Sequence, residues 1–210
     1  MSRKHLPIPA RAAQHLTSGP IALRVVESTP DHVVMEMGVD YTKVTPPERS
    51  YYADYCDVRR ARLGYSLFFG KLIAGTDALR TKIEVAFPED MFIQQLWGTS
   101  REFHKALRAV AEKVSLPPTG QVTDTDKVQT FRSNNAFMGM WGEEALIDFY
   151  YLSPRDLHFL RMGHPGDVGL EGIVRVVLGT PLLFEFLEKC RPFVEGKQPD
   201  IASQPEAGHP

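Results

Sequence analysis

The feature that most constrains the fold is a pattern that occurs twice. Residues 53–72 read ADYCDVRRARLGYSLFFGKL, and residues 134–152 read NNAFMGMWGEEALIDFYYL. Each segment places an aromatic-rich run on both sides of a charged turn, at 59–62 and at 141–144. Aromatic and β-branched runs around a polar turn are typical of β-hairpins. The repetition therefore predicts two copies of one strand–turn–strand unit.

Apolar positions stay in register beyond the two hairpins. At an offset of 80 residues, Leu67, Phe69 and Leu72 match Ile147, Phe149 and Leu152, and at an offset of 91 residues Ile83, Val85 and Phe87 match Val174, Val176 and Leu178. The difference between the offsets falls in a predicted long loop at 153–172. Insertions are tolerated in loops, so this pattern favours an internal duplication.

The order of elements predicts an α+β fold of two tandem antiparallel β-β-β-α modules that form a pseudo-dimer, with an N-terminal β-hairpin. In each module a strand leads through Pro88 or Pro181 into a helix, where the missing N–H of proline costs nothing. The predicted segments are a flexible arm at 1–20 with a short helix at 10–16, the hairpin and first module at 21–118, a polar connector at 119–131, the second module at 132–194 and a disordered tail at 195–210.

Several short motifs occur along the two predicted modules. They are Tyr52-Ala53-Asp54 in the first copy, and Ser133-Asn134, Glu143-Glu144, Asp148-Phe149, Ser153-Pro154 and Arg175-Val176-Val177-Leu178 in the second. With these motifs the chain resembles, over 51–110 and 132–194, a bacterial domain family of unknown function whose members are small three-strand-plus-helix modules. The resemblance implies that fold and no activity. The first copy departs from the pattern, because Arg59-Arg60 replaces the Glu-Glu turn.

Cysteine spacing, hydropathy and net charge limit the classes of protein to which the chain can belong. Cys56 and Cys190 have no CxxC spacing, so both are predicted to be buried, reduced side chains. No run approaches the length of a membrane span, and the N-terminal residues lack the apolar stretch of a signal peptide. A formal net charge of -2 argues against a general polyanion binder. These features favour a cytoplasmic location.

No pattern in the chain predicts catalysis. A nucleophile needs a sharp turn and a nearby base, but GxSxG is absent. The glycine-rich segment 163–172 lacks the Lys-Ser/Thr pair of a phosphate-binding loop. Asp156, His158, His164 and Asp167 in the predicted loop are the nearest approach to a metal cluster, and solvated loop residues are the favoured interpretation. We therefore predict a protein that is not an enzyme and has no cofactor and no metal.

Single-stranded nucleic-acid binding is the alternative function that the first module suggests. Basic aromatic sheets bind single strands by stacking and by phosphate contacts. The residues that suggest it are Tyr51, Tyr52, Tyr55, Tyr65, Phe68 and Phe69, interleaved with Arg49, Arg59, Arg60 and Arg62. Aromatic side chains in strands normally build the core, which is the competing interpretation.

Protein association is the favoured function. A module of about 60 residues buries little surface by itself, so copies are expected to pair. We therefore predict a protein-interaction, scaffolding or adaptor protein that self-associates or binds a protein partner. The candidate interaction residues are Arg59, Arg60, Arg62, Trp97, Trp141, Glu143, Glu144, Tyr150 and Tyr151. Among them, Trp141, Tyr150 and Tyr151 are predicted to be exposed aromatics.

Overall fold

A computed structural model of the chain describes residues 15–28, 33–61, 64–76, 78–88, 121–123, 128–161 and 168–194. Over these residues the protein is α+β and consists mostly of strands, which confirms the predicted class. The strands are β1 (His15–Ser18), β2 (Ile21–Ser28), β3 (Val33–Val39), β4 (Ser50–Ala53), β5 (Tyr55–Ala61), β6 (Gly64–Leu72), β7 (Ala78–Pro88), β8 (Gln121–Thr123), β9 (Gln129–Arg132), β10 (Asn135–Trp141), β11 (Glu144–Tyr151) and β12 (Glu171–Gly179). The α-helices are α1 (Pro154–Arg161) and α2 (Thr180–Val194), and Tyr41–Lys43 forms a 3-10 helix.

The chain divides into two compact units. Unit 1 comprises Met1–Pro46 and Leu152–Gly172, and unit 2 comprises Pro47–Tyr151 and Ile173–Pro210. Both predicted modules thus fall mainly in unit 2. The helices predicted after Pro88, up to residue 114, lie outside the described residues.

Unit 1 contains an antiparallel sheet in the order β1-β2-β3. The hairpin predicted from residue 21 corresponds to β2 and β3, which pair from Ile21 with Val39 onward. β1 adds a third strand in the segment predicted as an arm, so the helix predicted at 10–16 is wrong at His15 and Leu16. The main-chain pairing with β2 holds these residues extended.

Helix α1 corrects a second expectation, because it occupies the start of the loop predicted at 153–172. Ser153 Oγ accepts a hydrogen bond from the backbone N–H of Asp156 and donates one to the Asp156 carboxylate. Pro154 fills the first helical position. This capping pattern was present in the sequence and predicts a helix start.

Unit 2 contains two sheets. Sheet I has the order β10-β11-β12-β4, and sheet II has the order β5-β6-β7-β8, with β9 also paired to β7. The hairpins β5–β6 and β10–β11 pair in equivalent registers: Cys56 pairs with Phe69, and Ala136 pairs with Phe149. Both turns are shorter than predicted, because Arg59, Arg60 and Trp141 lie within strands.

The strand before each hairpin lies in the sheet of the other hairpin. β4 pairs in parallel with β12, with Tyr51 opposite Val176. β9 pairs in parallel with β7, with Phe131 opposite Val85. The single strand predicted at 52–58 is therefore two strands that divide at Asp54. The backbone N–H of Asp54 donates to the carbonyl of Gly70 at 2.9 Å, where the chain passes from one sheet to the other.

β8 and the start of β9 lie in the segment 119–131, which was predicted to be a polar connector. Main-chain hydrogen bonds to the edge of β7 form this pairing, and they need no apolar side chains. The polar composition therefore concealed the strands.

The core of unit 2 is formed by the inward side chains of both sheets and one face of α2. Phe69 on β6 packs against Phe149 on β11 and Phe186 on α2, at ring-centroid distances of 5.9 and 5.6 Å. Lys189 fastens α2 to β5, because its Nζ donates to the carbonyl of Cys56 at 2.7 Å. Both predicted cysteine environments are confirmed: Cys56 and Cys190 are free and buried.

Candidate interaction surface

Sheet I presents apolar side chains on the face opposite the core. On β11, Ala145, Ile147 and Phe149 belong to the core cluster. Successive side chains of a strand point to opposite faces, so the intervening residues face outward. We define the apolar face as the outward residues Tyr52, Phe137, Gly139, Trp141, Leu146 and Val177.

The pairing registers place these residues across all four strands. Gly139 on β10 lies opposite Leu146 on β11, and Val177 on β12 lies opposite Tyr52 on β4. A Cβ at Gly139 would lie 3.4 Å from the Phe137 ring and 3.5 Å from a Leu146 methyl group. The glycine therefore gives these side chains room to approach each other over the sheet.

Exposure on the apolar face is greatest at its two ends. Trp141 is 90% exposed and Tyr52 is 61% exposed, while Phe137, Leu146 and Val177 are half-buried. Isolated exposed apolar side chains are common, but several on one face of a sheet favour an interaction site.

The outward face of sheet II carries mainly polar side chains. Arg59 Nε donates to Asp57 at 2.9 Å, and the Arg59 guanidinium lies 4.9 Å from the centre of the Phe68 ring. Glu84 accepts hydrogen bonds from Ser66 at 2.6 Å and from Thr130 at 3.2 Å. These polar groups have partners within the sheet, so sheet II presents a solvated face. The two sheets therefore offer different surfaces.

A buried ion pair lies on the outward side of sheet I. Arg175 donates to Asp148 through both Nε and Nη2, at 2.6 and 2.7 Å. This hydrogen bonding raises the pKa of the Arg175 guanidinium, which therefore stays charged. The Tyr150 hydroxyl donates to the same carboxylate at 3.3 Å. Because Tyr150 is 2% exposed, the prediction that it is an exposed aromatic is wrong.

The turn of the second hairpin is anchored to α2. Gly142 and Glu143 form the turn, and Gly142 has a φ of 64°, which glycine adopts without a steric cost. The carbonyl of Glu143 accepts from the backbone N–H of Thr180 at 2.9 Å, at the start of α2. Trp141 is the last residue of β10, and the hydrogen bond between the adjoining turn and α2 stabilises this end of the strand.

The remaining predicted interaction residues are dispersed. Glu143 is exposed in the second turn and Glu144 at the start of β11. Arg59 and Arg60 are exposed on β5, and Tyr151 is half-buried at the end of β11. Arg62 and Trp97 lie outside the described residues. Sequence reasoning missed Tyr52, Leu146 and Val177 as members of one face, although strand alternation was the signal that relates them.

Nucleic-acid binding by the first module stays a prediction, with fewer aromatic side chains available than the sequence suggested. Tyr65 and Phe69 are buried in the core. Phe68 is covered on one side by Arg59, and the Lys71 ammonium lies 5.7 Å from the centre of the Tyr52 ring. These cations already use ring faces that a base would need for stacking.

Neither thiol has the environment of a nucleophile. Burial raises the pKa of the Cys56 thiol to about 12 and raises that of Cys190 well above its ordinary value. Reactive cysteines have a lowered pKa and some access to solvent. Both cysteines therefore act as small packing side chains.

The described part of the chain contains no group of three or more His, Cys, Asp or Glu residues that could hold a metal ion. Asp156 and His158 lie on α1, whereas His164 and Asp167 are outside the described residues. Among the helices that the structure describes, none has the length and apolar character needed to cross a membrane.

Comparison with known proteins yields no relative: no family model, curated protein or solved structure matches the chain. The resemblance to a bacterial domain family therefore stays a prediction.

Proposed function

We propose that the chain is a non-enzymatic protein-interaction protein, built as a pseudo-dimer of two duplicated modules, that self-associates or binds a protein partner through the apolar face of sheet I. The observation that carries the proposal is the contrast between the two outward faces. The outward side chains of sheet II are mainly charged or hydrogen-bonded, whereas sheet I carries the exposed side chains of Tyr52 and Trp141 beside its internally paired Asp148 and Arg175.

The equivalent registers of the hairpins support the duplication. Tyr55 pairs with Gly70, and Asn135 pairs with Tyr150, so both partners shift by the same 80 positions. Two independent hairpins of different register would not preserve this relation. The chain also crosses between sheets at equivalent places, since the Asn134 N–H donates to the Tyr150 carbonyl as Asp54 does to Gly70.

Contacts between matching residues support the pseudo-dimer. In a two-fold arrangement, residues close to the axis contact their own counterparts. Phe69 contacts Phe149, and Tyr51 lies 6.3 Å from Phe131 between ring centroids, each pair being 80 residues apart. The exchanged strands β4 and β9 add reciprocal main-chain pairing between the halves.

The apolar face then gives the molecule a surface for association. Interfaces are enriched in tryptophan and tyrosine, which bury large areas and retain a polar group at the rim. The polar face of sheet II keeps the molecule solvated on another side. Association through sheet I alone would produce a defined complex rather than an open aggregate.

Sedimentation velocity and affinity capture from nuclease-treated lysate of the native host test the proposal on the full chain. The double variant Tyr52→Ser/Trp141→Ser should lose a self-associated species or a captured protein that the wild type retains. Phe159→Ser is the matched control, because Phe159 is another exposed aromatic and lies on α1 in unit 1. It should behave like the wild type.

A wild-type chain that stays monomeric and captures no protein would contradict the proposal, as would a double variant that associates like the wild type. A gel shift with single-stranded oligonucleotide at moderate salt would instead favour nucleic-acid binding, if it persisted in the double variant and weakened in Arg59→Gln.

A further inference from the structure

A cleft of about 380 Å³ opens in unit 2 where several strands end. It lies at the end of sheet II, away from the turn formed by Gly142 and Glu143. Its walls include Ala61, Ala86, Pro88, Arg132, Ser133 and Tyr151. Its volume is within the range of sites for small molecules, which are mostly apolar with a few polar groups.

The cleft combines apolar walls with one cation. Ala61, Ala86 and Pro88 provide accessible methyl and methylene groups, and Arg132 provides a guanidinium at the exposed end of β9. No hydrogen bond or ion pair joins the side chain of Arg132 or Tyr151 to another residue that the structure describes. The exposed guanidinium of Arg132 and the half-buried phenol side chain of Tyr151 thus border the apolar cleft.

Ser133 has a different part in the cleft. Its Oγ lies 2.7 Å from the carbonyl oxygen of Tyr150 and 2.9 Å from that of Asn135, so its proton is used by the main chain. The residue is 1% exposed. Ser133 therefore stabilises the chain between β9 and β10 and does not serve as a nucleophile. The groups that line the cleft suit the binding of a ligand rather than a reaction.

The matching positions in the other half of unit 2 are filled differently. Arg132 and Tyr151 stand 80 residues after Tyr52 and Lys71, so the cation and the aromatic ring have exchanged places. There the Lys71 ammonium lies against the Tyr52 ring, at 5.7 Å from its centre. That cation is satisfied within the chain, whereas Arg132 has no such described partner. The two matching positions therefore differ: the Lys71 cation contacts an aromatic ring of the chain, and the Arg132 cation lines a cleft.

We infer that the cleft binds a small carboxylate with one flat apolar group. The apolar group would lie against Ala61, Ala86 and Pro88, and the carboxylate would accept hydrogen bonds from the fork of N–H donors of Arg132. Arginine and a carboxylate form paired, charge-assisted hydrogen bonds that are stronger than neutral ones. The Tyr151 hydroxyl is a second donor at the same rim. This inference does not depend on the proposed protein association.

An NMR titration of the full ¹⁵N-labelled chain with 2-naphthoate tests the inference. The resonances of residues around the cleft should shift with saturation, and 2-naphthalenemethanol, which lacks the charge, should bind at least about tenfold more weakly. Arg132→Gln should weaken naphthoate binding by a similar factor. Tyr151→Phe should weaken it by a smaller factor, because it removes one neutral donor.

Arg80→Gln is the matched control, since Arg80 is an exposed arginine on β7 that does not line the cleft. It should leave binding unchanged, and the thermal midpoint of each variant reports whether its fold is retained. The inference is overturned if naphthoate does not bind at millimolar concentration, if the alcohol binds equally well, or if folded Arg132→Gln binds like the wild type.

Discussion

Arg175 on β12 holds the carboxylate of Asp148 on β11 by two hydrogen bonds, Nε to Oδ1 at 2.6 Å and Nη2 to Oδ2 at 2.7 Å. The side chain of Asp148 is 3% exposed and that of Arg175 is 29% exposed. A buried carboxylate without its cation keeps its desolvation cost and loses the compensating attraction. Removal of one partner should therefore destabilise the protein by more than the net stability that the intact pair contributes.

We expect Arg175→Met to lower the free energy of unfolding by about 2 to 3 kcal/mol, less than for a fully buried pair because Arg175 reaches solvent. The double variant Asp148→Leu/Arg175→Met should recover most of this loss. Lys43→Met breaks an exposed pair with Asp40 and should cost about 0 to 1 kcal/mol. Urea denaturation measures all three, and equal stability of Arg175→Met and wild type would contradict the argument.

Two glycines allow the close pairing of β6 with β7. A Cβ at Gly64 would lie 2.0 Å from the carbonyl oxygen of Phe87, and one at Gly70 would lie 2.2 Å from that of Arg80. Gly64 also has a φ of +145°. Backbone atoms cannot move aside as a flexible side chain does, so we expect alanine at either position to cost more than about 3 kcal/mol.

Gly142 provides the control for these variants, because no heavy atom lies within 4 Å of its Cβ position and its φ is +64°. Asparagine tolerates that conformation, so Gly142→Asn should cost less than about 1 kcal/mol. Thermal denaturation of the three variants checks the order. A Gly70→Ala protein as stable as Gly142→Asn would show that the strands separate without cost.

The ring contact between Phe69 and Phe149 should appear as a coupling energy. Both residues are almost fully buried. Each alanine variant is expected to lose about 3 to 5 kcal/mol from the transfer of the ring and the cavity left behind. Because the rings contact each other, the double variant should cost less than the sum, with a coupling of about 0.5 to 1.5 kcal/mol.

A double-mutant cycle with urea denaturation measures this coupling. Pairing Phe69→Ala with Val44→Ala provides the control, because Val44 belongs to the other unit and should add independently. If Phe69 and Phe149 also add independently, their contact does not contribute to stability.

The buried cysteines should react slowly and should make the fold sensitive to alkali. At pH 8, Ellman's reagent is expected to modify Cys56 and Cys190 readily in urea and at least about 100-fold more slowly in the native protein. The folded Cys56 thiol has a pKa of about 12, above the ordinary value of 9.0, so the folded state holds its proton to higher pH. Stability from this group is therefore full below pH 9 and decreases as pH rises toward 12.

Cys56→Ala should reduce the part of the alkaline loss of stability that comes from this thiol. Urea denaturation of wild type and variant between pH 8 and 11 measures the difference in slope. Rapid native modification at pH 8, or identical slopes in the two proteins, would contradict the buried environment of Cys56.

The sequence predicted the strand content and much of the pairing of unit 2 because apolar alternation is a local signal. Ile83, Val85 and Phe87 alternate in the sequence and are all buried on β7. The division at Asp54 had no such signal, since Tyr52-Ala53-Asp54-Tyr55 reads as one extended run. The choice of sheet for β4 depends on contacts with β12, which follows more than a hundred residues later.

The candidate site was predicted in part for the same reason. Trp141 was singled out as an exposed aromatic, and it is 90% exposed. Tyr150 was singled out on the same grounds and is buried, because its hydroxyl is directed to Asp148, which also holds Arg175. A local pattern identifies an aromatic residue, but only the partner strand determines whether it reaches solvent.

The exchange of β4 and β9 between the sheets predicts that the halves of unit 2 depend on each other. α2 belongs to the second half by sequence, yet Phe193 packs edge-on against Tyr65 at 5.2 Å and Lys189 binds the carbonyl of Cys56 on β5. A second half without β5, β6 and β7 would expose these α2 contacts and the inward face of sheet I to water. Such loss of apolar burial exceeds what a small domain tolerates.

We therefore expect a chain cut by a specific protease at a site introduced between Thr123 and Val128 to remain one folded particle. Size-exclusion chromatography and circular dichroism should match the intact protein, because the β4–β12 and β9–β7 pairings persist after the cut. The isolated fragment from residue 128 onward should be unfolded. Separation of the cut chain into two folded fragments would contradict the pseudo-dimer, since it would show that each half completes its own core.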